Sequence, residues 1–216
     1  MIFALATILA YLLGSIPFAF LIARAQGKDL RTVGSGNIGA TNLARAVGRK
    51  WGYICFVLDV LKGFVPMIVV GALLETPPTP TRLTLWLVVG VAAIVGHISS
   101  IFLKGRGGKG VATSFGVALG LWPYFTIPAL IALIVWLVTV LIGRYVSLAS
   151  ICASVSFPVA LFAGILWAPS WQASSLWPLQ IAAVAIPLLV IIRHRENIRR
   201  LLAGTESRIR SGKGER

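Results

Sequence analysis

Three short polar segments of this 216-residue chain carry residue types that can do chemistry. The first, GSGNIGATNLAR (Gly34 to Arg45), sets Gly34, Gly36 and Gly39 among Ser35, Asn37, Thr41 and Asn42 and ends on Arg45. Glycines let backbone N–H groups approach an oxyanion, short hydroxyl and amide side chains add donors, and the guanidinium adds a bidentate fork. The second, GHISSIFLKGRGGKGVAT (Gly96 to Thr113), follows His97 with Lys104, Arg106 and Lys109 among Gly105, Gly107, Gly108 and Gly110, then opens into an apolar segment. A cationic, glycine-rich loop at a helix N-terminus attracts anions through free N–H groups and the helix dipole together. The third, HRENIRRLLAGTESRIRSG (His194 to Gly212), spaces His194 and Asn197 so that in a helix the imidazole and the amide share one face.

Several chemistries are excluded by what is missing. Gly110 is followed by Val111, so the lysine and hydroxyl of an ATP-binding phosphate loop are absent. Asp29 and Asp59 are the two aspartates, 30 positions apart, which excludes the clustered carboxylates of metal-assisted phosphoryl transfer. Neither a metal nor a cofactor is expected. The acyltransferase signature of His followed five residues later by Asp is also absent, because Phe102 stands at that offset from His97. Cys55 and Cys152 lie in apolar surroundings without metal-ligand spacing and are expected to pack.

Each segment also has a plainer structural reading. The first is a capped glycine turn, Lys104, Arg106 and Lys109 anchor one membrane face, and Asn197, Arg199 and Arg200 belong to a basic helix lying on lipid headgroups. Asp59 and Lys62 share a face of an apolar helix and are expected to pair inside the bundle as support for a site. His97 is expected as a hydrogen-bonding residue at a span end, and Glu206 as the ion-pair partner of nearby arginines.

What positions these segments is a membrane. The chain is 57% hydrophobic and 12% charged, against about 25% charged in soluble domains. Apolar runs cover Ile2 to Ala23, Trp51 to Leu74, Leu83 to Ile101, Val111 to Trp122, Tyr124 to Ile142, Tyr145 to Trp167 and Leu176 to Ile192. An all-α integral membrane protein of one domain, residues 1–216, with about seven transmembrane helices is expected. The first run lacks a basic n-region and cleavage site and reads as a retained span. The fourth is short of the ~20 residues a crossing needs, so it is re-entrant or locally thins the bilayer.

The net charge of +14 sits in a few loops and the tail, which fits lipid headgroups and argues against nucleic acid. Seven crossings with the N-terminus outside put residues 24–50, 104–109, Arg144 and the basic tail 193–216, which carries the third segment, on the cytoplasmic face. Only Arg82 then lies outside. A kinked fourth-plus-fifth helix through Pro123 would split the positive charge and is disfavoured. ETPPTPT (Glu75 to Thr81) and WAPSWQ (Trp167 to Gln172) read as outer interfacial turns.

Together the blocks SGNIGATNLAR, GH followed by GGKGVAT, and HRENIRRLLAGTE resemble, in order and along nearly the whole chain, the bacterial glycerol-3-phosphate acyltransferases that use acyl phosphate. The resemblance implies transfer of a fatty acyl group to the sn-1 hydroxyl of glycerol 3-phosphate. The products would be lysophosphatidate and inorganic phosphate, the first step of phospholipid synthesis. It implies functional positions at Ser35 and Arg45, at Gly107, Gly108, Lys109 and Gly110, and at His194 and Asn197, with Glu206 structural. It also implies a bacterial plasma membrane and an upstream enzyme that forms acyl phosphate. Ser100 stands where the family often has proline, and Gly105 with Arg106 replace a more usual aromatic and lysine.

The residue chemistry fits that reaction independently. Acyl phosphate is already an activated anhydride and both substrates carry phosphate, so donors and cations matter more than a strong nucleophile. Direct attack in a ternary complex is expected, with Arg45 and Lys109 on phosphates, Ser35 and Asn197 on hydroxyl and carbonyl, and His194 or a substrate phosphate on the proton. An acyl-Ser35 intermediate is the alternative route. From another class, a transporter of an anionic lipid or phosphate ester would use the Asp59–Lys62 pair. It would also need polar groups converging at midplane from broken helices, and no such repeat is visible.

Overall fold

The computed structural model describes residues 1–74 and 78–209. Residues 75–77 of the expected outer turn and residues 210–216 of the tail lie outside it. The described residues form α1 (Ile2–Ser15), α2 (Phe18–Ala25), α3 (Ala40–Val47), α4 (Arg49–Gly71), α5 (Pro80–Ile98), a 3-10 turn (Ile101–Leu103), α6 (Val111–Gly120), α7 (Thr126–Gly143), α8 (Val146–Trp167), α9 (Trp177–Arg193) and α10 (Arg195–Leu202). The protein is an all-α integral membrane protein.

The first expected span is two helices. Proline disfavours helical backbone in the residue before it, and Ile16, ahead of Pro17, is extended with ψ of 116°. The resulting break leaves the Ile16 carbonyl available inside the bundle. Taken together, α1 and α2 are long and apolar enough to cross, as are α4, α5, α7 and α8; α9 joins α10 at a bend of 58°, and only counted as one broken span is that pair a sixth. At ten residues α6 rises about 15 Å, half of a ~30 Å hydrocarbon core. It does not continue into α7. The chain turns between Leu121 and Phe125, where the Thr126 hydroxyl donates to the Leu119 carbonyl at 2.9 Å.

Close backbone crossings fix where the polar segments meet. At Gly14 and Gly96, α1 and α5 touch so tightly that a Cβ on either would enter the other helix's backbone. The crossing of α4 and α6 at Gly63 and Gly116 has the same character. These two contacts bring the α1–α2 break, Asp59 and Lys62 of α4, His97 of α5 and the start of α6 into one region. Apolar residues such as Ile134, Leu141 and Ile142 of α7 and Leu166 of α8 point outward, as lipid-facing residues do.

Candidate active site

In the first segment, the side chain of Asn42 organises the loop. Its amide nitrogen donates to the carbonyls of Leu30 (3.2 Å) and Val33 (2.9 Å), and its oxygen accepts the Ser35 N–H at 3.1 Å. Gly34 adopts φ of +58° directly beneath that oxygen, where a Cβ would collide. Asn42, expected from sequence in the substrate-binding set, is 1% exposed and bonds within the loop, so in this structure it supports the loop. Its work leaves Ser35 and Thr41 exposed. The Asn37 N–H reaches the Ser35 hydroxyl at 3.5 Å.

The second segment folds back on α5. Gly108 donates its N–H to the His97 carbonyl at 3.1 Å and lies so close to the His97 ring that any side chain at 108 would strike Nε2. Beyond it Gly110, with φ of +90°, caps α6 and leaves Lys109 between two constrained glycines. Lys104 and Arg106 are exposed at the far edge of the loop, where Gly105 donates to the Ser100 carbonyl. The structure brings Lys109 to the third segment and leaves Lys104 and Arg106 at the periphery.

The third segment is not a straight continuation of the last span. The 58° bend between α9 and α10 falls at His194, which is 3% exposed. Its Nδ1 donates to the Val190 carbonyl at 2.8 Å, and that bond assigns the free lone pair to Nε2. Asn197 is also buried. Its amide oxygen accepts from the Lys109 ammonium and its nitrogen donates to Glu206 Oε1 at 2.7 Å. Glu206 further accepts from Arg200 Nε (2.7 Å) and from the Ser147 hydroxyl (2.8 Å). The expected pairing of Glu206 with an arginine is present, and its second oxygen orients a site residue.

The segments are stitched together by two more bonds. Arg45 Nη2 donates to the Ser207 carbonyl at 3.3 Å, joining first to third, and Arg193 Nη2 donates to the Gly108 carbonyl at 3.2 Å, joining third to second. Ser147 and Arg193 were not among the residues singled out from sequence. A serine at a helix start and an arginine at a span end are ordinary there, and only their spatial neighbours distinguish them.

Electrostatics follow from burial. Burial pushes the Lys109 ammonium down to about 8, partly opposed by the nearby Glu206 carboxylate. His194 is lowered to about 4, again chiefly by burial. For Glu206 burial acts upward, yet the hydrogen bonds from Arg200, Asn197 and Ser147 outweigh it and hold the carboxyl below the ordinary glutamate value. Near neutrality the site therefore presents a mostly charged lysine, a neutral imidazole with Nε2 free, and a fixed carboxylate.

Behind Lys109 lies a buried polar cluster. Lys62 Nζ sits 2.8 Å from Asp59 Oδ1 and donates to the Ile16 carbonyl at 3.1 Å. His97 Nδ1 approaches the same carboxylate oxygen at 3.6 Å, and all three side chains are at most 7% exposed. The expected intramembrane pair is present, and His97 joins it from α5. A small crevice lined by Ser15, Ile38, Asp59, His97, Gly107 and Gly108 connects this cluster to the first two loops.

Comparison with known proteins places this arrangement in context. A family model described as glycerol-3-phosphate acyltransferase matches residues 4–204. The chain is 44% identical over 204 residues to the glycerol-3-phosphate acyltransferase of Aquifex aeolicus (strain VF5), covering 93% of this chain and 96% of that one. It is 45% identical over 202 residues to that of Trichlorobacter lovleyi, covering 94% and 95%. Among solved structures it is similar to an integral membrane glycerol 3-phosphate acyltransferase in its glycerol 3-phosphate form, with a TM-score of 0.85 and 41% identity over 97% of this chain and 96% of that one. Its similarity to a lysophosphatidic acid form has a TM-score of 0.81 and 40% identity, with the same coverage of both chains.

Proposed function

The chain belongs to the glycerol-3-phosphate acyltransferase family, and from that premise we propose that it transfers a fatty acyl group from acyl phosphate to the sn-1 hydroxyl of glycerol 3-phosphate. The products are lysophosphatidate and inorganic phosphate. The observation that carries the reading is the convergence of the three polar segments. Lys109 meets Asn197, Arg45 meets the Ser207 backbone and Arg193 meets the Gly108 backbone. The joined residues lie in loops and near helix ends, and transport would call for broken helices of two repeats converging on them, which speaks for catalysis over transport.

In this mechanism Arg45 and Lys109 hold the two phosphate groups, and the N–H groups at the start of α6 face the anhydride, the Gly108 N–H being held by the His97 carbonyl. Ser35 hydrogen-bonds the acceptor. His194 takes the acceptor hydroxyl's hydrogen bond on Nε2 and orients the oxygen toward the acyl carbonyl. The glycerol oxygen forms the new ester as the acyl–phosphate bond breaks, and the hydroxyl proton ends on the departing phosphate. Asn197 keeps the Lys109 ammonium in place. The basic loops and the tail from Arg193 support a cytoplasmic active site in a bacterial plasma membrane, with the N-terminus outside and α6 as a short seventh segment. Acyl phosphate would come from an upstream enzyme that forms it.

The test is donor selectivity in detergent without a membrane gradient. Purified protein, glycerol 3-phosphate and acyl phosphate should yield lysophosphatidate and phosphate, whereas acyl-CoA or acyl-carrier protein should yield neither. Product from a thioester donor alone would overturn the assignment.

A further inference from the structure

We propose that Asp59 is a positioning residue that grips the donor loop on both sides of Lys109 and so sets its affinity for acyl phosphate. The inference rests on the acyl-phosphate reading above. On one side, the Asp59 carboxylate faces His97 Nδ1 at 3.6 Å, the His97 ring packs under Gly108, and the His97 carbonyl accepts the Gly108 N–H at 3.1 Å. On the other, the Asp59 backbone carbonyl accepts the Thr113 hydroxyl at 3.0 Å in the first turn of α6. Lys109 is the first residue after Gly108 and lies four before Thr113, so one residue of α4 hydrogen-bonds the far end of its short tether and faces the histidine whose carbonyl holds the near end.

Asp59 is itself held. Lys62 Nζ bonds its carboxylate and the Ile16 carbonyl at the α1–α2 break, and Cys55 Sγ donates to its second oxygen at 3.5 Å. The Ser100 hydroxyl, donating to the Ser15 carbonyl at 2.5 Å, ties the far end of the same loop to the same break. An ion pair at this depth is costly to bury, and pairing alone would be matched by apolar residues of equal volume. Its geometry gives it another use, because Ile16, His97 and Thr113 lie on three other elements of the loop's foundation. An ammonium confined in this way meets a donor phosphate with less ordering left to do, and that lowers the cost of binding.

The experiment compares Thr113→Val, Thr113→Ser and Asp59→Asn by steady-state kinetics and by hydrogen exchange of the loop peptide. Thr113→Val should raise the KM for acyl phosphate by about fivefold, the equivalent of one buried hydrogen bond, with kcat nearly unchanged. Thr113→Ser should restore it. In a Lys109→Ala background Thr113→Val should add nothing. Exchange at residues 105–111 should quicken in Thr113→Val without a change in α8, and where Asp59→Asn fails to fold this variant carries the test. An unchanged donor KM with unchanged loop exchange, or effects of Thr113→Val and Lys109→Ala that add fully, would overturn the proposal. Inactivity of the wild type with acyl phosphate would sink the functional reading instead, and the exchange measurement would still decide the grip.

Discussion

Lys109 donates to the amide oxygen of Asn197, although the two are 88 positions apart. The amide's other end is fixed by Glu206, whose carboxylate also holds Arg200 and Ser147. An ammonium and a carboxylate are thus linked by hydrogen bonds through one neutral side chain. An asparagine at 197 presents an acceptor to the lysine and a donor to the glutamate at once, which neither aspartate nor leucine can do.

Asn197→Ala should therefore abolish acyl transfer in protein that still folds, because Lys109 and Glu206 lose their shared partner. Asn197→Asp should be almost as poor, since it sets a second carboxylate against Glu206. Rates of lysophosphatidate formation check both, and near-normal turnover in either would remove Asn197 from the site.

Ser147→Ala removes one of the hydrogen bonds to Glu206 and leaves the Asn197 and Arg200 bonds intact. A cost of about 1 kcal/mol is expected, lowering the melting temperature in detergent by ~3 °C. Glu206→Gln should cost more, because it also removes the charge that Arg200 faces at 2.7 Å.

The alkaline limb of activity should follow Lys109. With its ammonium lowered to about 8, kcat/KM for acyl phosphate should fall as pH rises through that value. Lys109→Arg should remove the limb from the accessible range, since arginine stays charged. A limb unchanged in Lys109→Arg would assign it to another group.

Acid should destabilise the fold in two steps. Between the ordinary histidine value of 6.5 and about 4, an unfolded chain protonates His194 and the native one does not, so stability falls as pH drops through that window. Glu206 adds stability that is complete above 4.5 and disappears as pH falls through its lowered native value. Thermal melts of His194→Gln should lack the first step and keep the second.

Direct attack predicts that protein incubated with labelled acyl phosphate alone carries no stable acyl group. Label retained on Ser35 would establish the covalent route, and Ser35→Ala would then lose all label.

The helical, membrane-embedded class was legible in the sequence because hydrocarbon demands long apolar runs, and those runs are local properties of the chain. The same holds for the three polar segments and for the Asp59–Lys62 pair, which needs only one turn of helix. The break at Pro17 was legible in principle, since the extended residue before a proline is a local effect, yet the apolar run conceals it. Ser147, Arg193 and the inward role of Asn42 were not legible. Their types are common at helix starts, span ends and turns, and only partners tens of residues away give them meaning.

The sequence alone determined which residues can hold phosphate and that they flank apolar helices, because composition and short spacing decide those matters. Only the tertiary structure decided which of them lie together. The glycine crossings of α1 with α5 and of α4 with α6 bring Asp59, His97 and the Lys109 loop into register. The bend at His194 turns Asn197 toward Lys109, and Lys104 and Arg106 are left at the edge. Backbone approach and helix bending depend on distant packing, so the choice among chemically similar cations is made by the fold.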